Sequence, residues 1–164
     1  MTFQVFDDRP RKGASKADHF PGTLQDYSLR LEQLNLEGCG IFVTPNQTDL
    51  KGRLKANITA GRAAWTDIDE EKDTAVKPFT IEALALPPTM VVRSGHGWHV
   101  YWIFPKPIPC DERRREELEA MLRGIQIALK DYGADKKVCH SNAVLRLPGF
   151  YNMKRDPVLV EVVR

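Results

Sequence analysis

Cysteine is scarce in this sequence. The three present, Cys39, Cys110 and Cys139, lie far apart and are odd in number. No CxxC pair offers a structural zinc site, and the usage suits a reducing cytoplasm. Long hydrophobic runs are missing as well. None approaches membrane-spanning length, and the opening stretch MTFQVFDDRPRKGASKADHF has no apolar h-region. A soluble cytoplasmic protein with no membrane partner is the expectation. An excess of charge of one sign is also lacking, since 24 Lys and Arg face 22 Asp and Glu for a net charge of +2. No overall basic field therefore points to nucleic acid, and any such surface has to be a local patch. Repeats and low-complexity tracts are absent. What is there is a chain of 164 residues with ordinary apolar, aromatic and charged fractions, most simply a single domain with a substantial core.

Residues 1–20 are polar, carry Pro10, Gly13 and mixed charges, and read as an N-terminal arm ahead of a folded unit over 21–164. GTLQDYSLRLEQLN predicts a helix: Thr23 can cap it with Asp26 three positions on, and Leu24, Tyr27, Leu31 and Leu34 form one stripe. CGIFVT (39–44) predicts a short buried strand, AAWTDID the next strand, and PFTIEALAL a short helix closed by Pro87 and Pro88. TMVVRSGHGWHVYWIF (89–104) predicts a hairpin about Ser94-Gly95-His96-Gly97, whose glycines permit the positive φ of a tight turn. In its second strand Trp98, Val100, Trp102 and Phe104 share the face assigned to the core, which leaves His99 on the more polar side. DERRREELEAMLRGIQIALKDYG (111–133) predicts the longest helix, AVLRLPG a strand ending in a Pro-Gly turn, and PVLVEVV a last strand. The mixture, with an antiparallel hairpin at its middle, favours an α+β sheet with helices packed on it over a doubly wound parallel fold.

Three stretches could carry chemistry. Asp67 and Asp69 stand two apart on a strand and so point to one face, where their repulsion has to be relieved by a metal ion, a basic neighbour or water. Hard divalent cations take carboxylate oxygens, and phosphoryl-transfer sites hold Mg²⁺ through one or two of them plus substrate phosphates. A solvated strand end is the plain alternative. The turn Ser94-Gly95-His96-Gly97 with His99 beyond it offers backbone N–H groups, a hydroxyl and an imidazole, an anion cradle if it is more than a glycine-rich turn. In RLPGFYNMK (146–154), Arg146 and Lys154 suit phosphates, the one as a fork and the other as a point charge, unless the stretch is an ordinary surface turn.

In this order the pieces TDID, SGHGWHVYW and ADKKVCHSNAVLRLPGFYNMK resemble the archaeo-eukaryotic primase superfamily, most closely the RepB-type primase and primase-polymerase domains of plasmids and phages. Singly each motif says little; three in one order with compatible spacing say much more. The resemblance runs from about Gly22 to the C-terminus. It implies an RRM-like catalytic sheet packed with a small α/β unit. It implies Asp67, Asp69 and Asp135 as metal ligands for two Mg²⁺ or Mn²⁺ ions, with Ser94, Gly95, His99, Arg146 and Lys154 on the nucleoside triphosphate. Asp131 stands close to Asp135, and His140 occupies a position where many members have aspartate. The activity implied is template-directed nucleotidyl transfer, priming or polymerisation on single-stranded DNA with NTPs or dNTPs. A helicase or a C-terminal helical module would be a further partner. Lys51, Arg53, Lys55 and Arg62 are candidates for the template track, and equally for a solvated loop.

Rival functions keep some residues of their own. Glu70-Glu71-Lys72 satisfies an acid-x-Lys pattern that, with Asp49 upstream, would suit a metal nuclease. A glycosyltransferase also uses a DxD, but in a longer α/β domain. A non-catalytic replication initiator or nucleic-acid-binding module would bind no metal at Asp67 and Asp69.

Overall fold

The computed structural model describes residues 1–9, 17–70 and 77–164. Their strands and helices are β1 (Thr2–Asp7), β2 (Ala17–Pro21), α1 (Leu24–Leu36), β3 (Cys39–Val43), β4 (Gln47–Thr48), β5 (Ile58–Asp69), β6 (Met90–Arg93), β7 (Gly97–Pro109), α2 (Glu112–Ala128), β8 (Leu145–Arg146), β9 (Tyr151–Asn152), β10 (Val158–Leu159) and β11 (Glu161–Val162). They build a four-stranded sheet of order β2-β1-β3-β8, a five-stranded sheet of order β11-β6-β7-β5-β4, and a small β9-β10 ribbon. Every pairing between these strands is antiparallel. The α+β class expected from the sequence is the class observed.

Local chemistry explains the elements. Thr23 Oγ1 accepts from the Asp26 N–H at 3.3 Å while Asp26 Oδ2 accepts from the Thr23 N–H at 2.8 Å, a reciprocal capping box that starts α1. Leu31 and Leu34 then face Phe3, Val5 and Ile41 beneath the first sheet. In α2, Leu118 and Leu122 pack on Ala63, Ala64 and Trp65 of β5. Gln126 clamps the same helix to that strand, taking the Thr66 hydroxyl at 2.6 Å and donating to the Trp65 carbonyl at 3.0 Å. Trp65, fully buried, centres the core where Tyr101 and Leu145 meet it.

Two expectations are corrected. The stretch read as a polar arm supplies β1, with Phe3 and Val5 buried and the strand hydrogen-bonded between β2 and β3. Its alternation had only two apolar positions, which the charged stretch after them concealed. PFTIEALAL holds only a single 3₁₀ turn at Ile81–Ala83, because prolines close both ends of too short a segment. His99 does lie on the more polar side, the face it shares with Asp67, but it is 3% exposed because the first sheet faces it there. Among the described residues no helix is long and apolar enough to cross a membrane.

Candidate active site

A cleft of about 260 Å³ opens between the two sheets. The wall from the five-stranded sheet carries Asp67 and Asp69 at the end of β5, with Ser94, His96 and His99 from the hairpin; the facing wall carries Phe42, Arg146, Asn152, Lys154 and Arg155. Register explains the convergence. Asp67 is the cross-strand partner of His99, and Phe42 is the cross-strand partner of Arg146, so each sheet offers one such pair to the cleft. The alternation along β5 puts Asp67 and Asp69 on the cleft face and Ile68 in the core behind them.

The hairpin turn is closed by the Ser94 N–H donating to the Gly97 carbonyl at 2.9 Å. Gly95 stands at φ +99°, as the turn chemistry expected. Asn152 joins this turn to the opposite wall: its Nδ2 donates to the Ser94 carbonyl at 2.8 Å and its Oδ1 accepts from the Lys154 N–H at 3.2 Å.

Electrostatically the cleft is divided. The His99 Nε2 lies 3.7 Å from Asp67 Oδ1, and its Nδ1 has no hydrogen-bond partner among the described residues. Burial, reinforced by the Arg146 charge, pushes the imidazole down to about 3, so His99 is a neutral group. Arg146 is buried, stacked 4.6 Å over the Phe42 ring, and forks onto Asp8 at 2.7 and 3.2 Å. Asp8 carries no local signal: it lies in the stretch read as an arm, 138 residues from its partner.

The remaining site residues divide. The Ile68–Ala134 bridge and the Asp135 N–H donating to the Asp67 carbonyl at 2.8 Å bring Asp135 alongside Asp67. The Asp135 carboxylate accepts from the Lys137 N–H at 2.9 Å and does not line the cleft. Asp131 is turned away, 3.7 Å from Lys77. His140 is exposed, 3.8 Å from Glu119. Of the template candidates, Arg53 is held by Gln4 at 2.6 Å and Lys55 by Glu119 at 2.7 Å, while Lys51 and Arg62 are exposed. None of the four lines the cleft. Of the nuclease set, the two described members stay apart: Glu70 binds the Trp98 indole at 2.5 Å and Asp49 closes a turn with Lys51 and Asn57; Glu71 and Lys72 lie outside the described residues.

The fold around this cleft is one shared with primase and primase-polymerase domains. Over 99% of its length the chain superposes on the archaeo-eukaryotic-type domain of the cyanophage S-2L primase-polymerase, with 21% identity, 80% of that chain covered and a TM-score of 0.71. It superposes similarly on primase RepB′, with 16% identity and a TM-score of 0.63, although it spans only 50% of that chain. The RepB′ catalytic domain in complex with initiator DNA gives 16% identity, a TM-score of 0.62 and 76% of that chain covered. In sequence, no curated protein matches. The model of the RepB DNA-primase N-terminal domain matches residues 28–164, and the chain belongs to that family.

Proposed function

We propose that this domain carries out template-directed nucleotidyl transfer, making or extending a primer on single-stranded DNA during replication of a plasmid, phage or other mobile element. The observation that carries the proposal is the divided cleft, with the carboxylates Asp67 and Asp69 on one wall and the cations Arg146, Lys154 and Arg155 on the other. Family membership and the RepB′ complex with initiator DNA support the same reading.

Asp67 and Asp69 fit a hard divalent cation: they are oxygen donors, two apart on a rigid central strand, and the Asp67 side chain is 22% exposed at the cleft. No group of three or more ligating side chains gathers among the described residues, so phosphate oxygens of the substrate would share the coordination. When bound at Asp67 and Asp69, Mg²⁺ or Mn²⁺ would supply activation of the primer 3′-hydroxyl and neutralise phosphate charge, with Asp135, whose carboxylate takes the Lys137 N–H outside the cleft, left out of the ligand set. Arg146 and Lys154 hold the triphosphate, Arg146 through the N–H groups that Asp8 leaves unused. The Ser94 hydroxyl and the Gly95 backbone add donors at the turn. His99, being neutral, contributes a directed hydrogen bond and no net charge.

The proposal is tested by supplying single-stranded DNA, nucleoside triphosphates and Mg²⁺ or Mn²⁺. Primers, or extension of a supplied primer, are expected. Degradation of the DNA with no synthesis would replace the proposal by a nuclease.

A further inference from the structure

Arg146 is not held by its own strand alone. Asp8, just after β1, has a side chain only 4% exposed and takes both terminal nitrogens of the guanidinium. The same Oδ2 accepts from the Met153 N–H at 3.2 Å, one residue before Lys154. Phe42 lies against the guanidinium face. Gly40 leaves the room for this: a Cβ there would stand 2.4 Å from Asp8 Oδ2 and 2.6 Å from Arg146 Nη1.

We infer that Asp8 is a positioning residue for the triphosphate, fixing Arg146, and through Met153 the loop bearing Lys154, in the cleft. The inference rests on the reading of the cleft as a triphosphate site. A buried guanidinium with an end-on carboxylate and an aromatic under its face has one orientation, with its Nε–H and two remaining N–H groups left for a second anion. Without the carboxylate it has several. Simple charge counting gives the opposite outcome, since an acid removed from a phosphate site should tighten nucleotide binding. The sign of the effect therefore separates orientation from competition.

Asp8→Asn keeps the shape and an acceptor but loses the charged fork. In primer extension with saturating template, its KM for the nucleotide is expected to rise about tenfold while kcat stays within about twofold. A merely structural role would reduce the active fraction, lowering kcat and leaving KM alone. Gly40→Ala, whose Cβ would press on Asp8 and Arg146 alike, should raise KM in the same direction, and Asp8→Ala decides the matter if Asp8→Asn does not fold. An unchanged or lowered KM in the folded variants overturns the role of Asp8 and leaves the triphosphate site standing. Absence of any nucleotide incorporation by the unsubstituted protein overturns both.

Discussion

Arg146 shows how much one residue can be asked to do here. Its guanidinium is almost wholly buried, paired with Asp8, stacked on Phe42 and still at the cleft wall. Removing one member of such a pair leaves the other charge buried and alone, which costs about 3–5 kcal/mol. Arg146→Leu is therefore expected to lower the free energy of urea unfolding by roughly 3 kcal/mol as well as to abolish nucleotide binding. A loss below about 1 kcal/mol would mean that Asp8 finds water or another partner. At this scale the sequence was informative about Asp67, Asp69, Ser94, His99, Arg146 and Lys154, which do share one cleft. It was silent about Asp8, because a contact across 138 residues leaves no local pattern. It gave the face of His99 but not its burial, because a period of two separates the faces of a strand without saying what covers each.

At the scale of elements, the hairpin between β6 and β7 sets the geometry of one whole wall. Gly95 sits at φ +99°, and a Cβ there would also meet Asn152 Nδ2 at 3.0 Å. Gly95→Ala should destabilise by about 1–3 kcal/mol and disturb Ser94 and Asn152 together. Thermal unfolding and nucleotide KM should therefore worsen in parallel. A stable variant with normal KM would show that the turn only connects strands. The helices give a contrast. Asp111 caps α2 by accepting from the Arg114 N–H at 2.8 Å, far from the cleft, so Asp111→Ala should cost about 1 kcal/mol and leave KM unaltered. Both helices were legible because caps and apolar stripes are local signals. β1 and the non-helical 78–86 segment were not, because their states are decided by a distant sheet and by flanking prolines.

Taken as a whole, the molecule is built to lose stability in acid. His99 has been pushed from its ordinary 6.5 to about 3 by burial and by Arg146. Burial alone would raise Glu119, but Lys55 and the Ser141 N–H and hydroxyl hold it from 4.5 down to about 2. In both cases the unfolded chain takes up the proton first, so stability falls as pH drops, through His99 below about 6.5 and through Glu119 below about 4.5. Unfolding midpoints measured at pH 7.5, 5.5 and 4 should decrease in that order. Glu119→Gln should flatten the lower part of the curve; an unaltered slope there would remove Glu119 from the account.

The central claim is that the two acids on β5 serve chemistry and not the fold. Their partly exposed carboxylates at a cleft, on a strand whose core is made by Trp65, Thr66 and Ile68, allow the two to be separated. Asp67→Asn and Asp69→Asn should each leave the unfolding midpoint close to that of the unsubstituted protein. Each should also reduce primer synthesis on single-stranded DNA with Mg²⁺ or Mn²⁺ by at least about 100-fold. Synthesis at undiminished rate by either folded variant would contradict the assignment of the cleft.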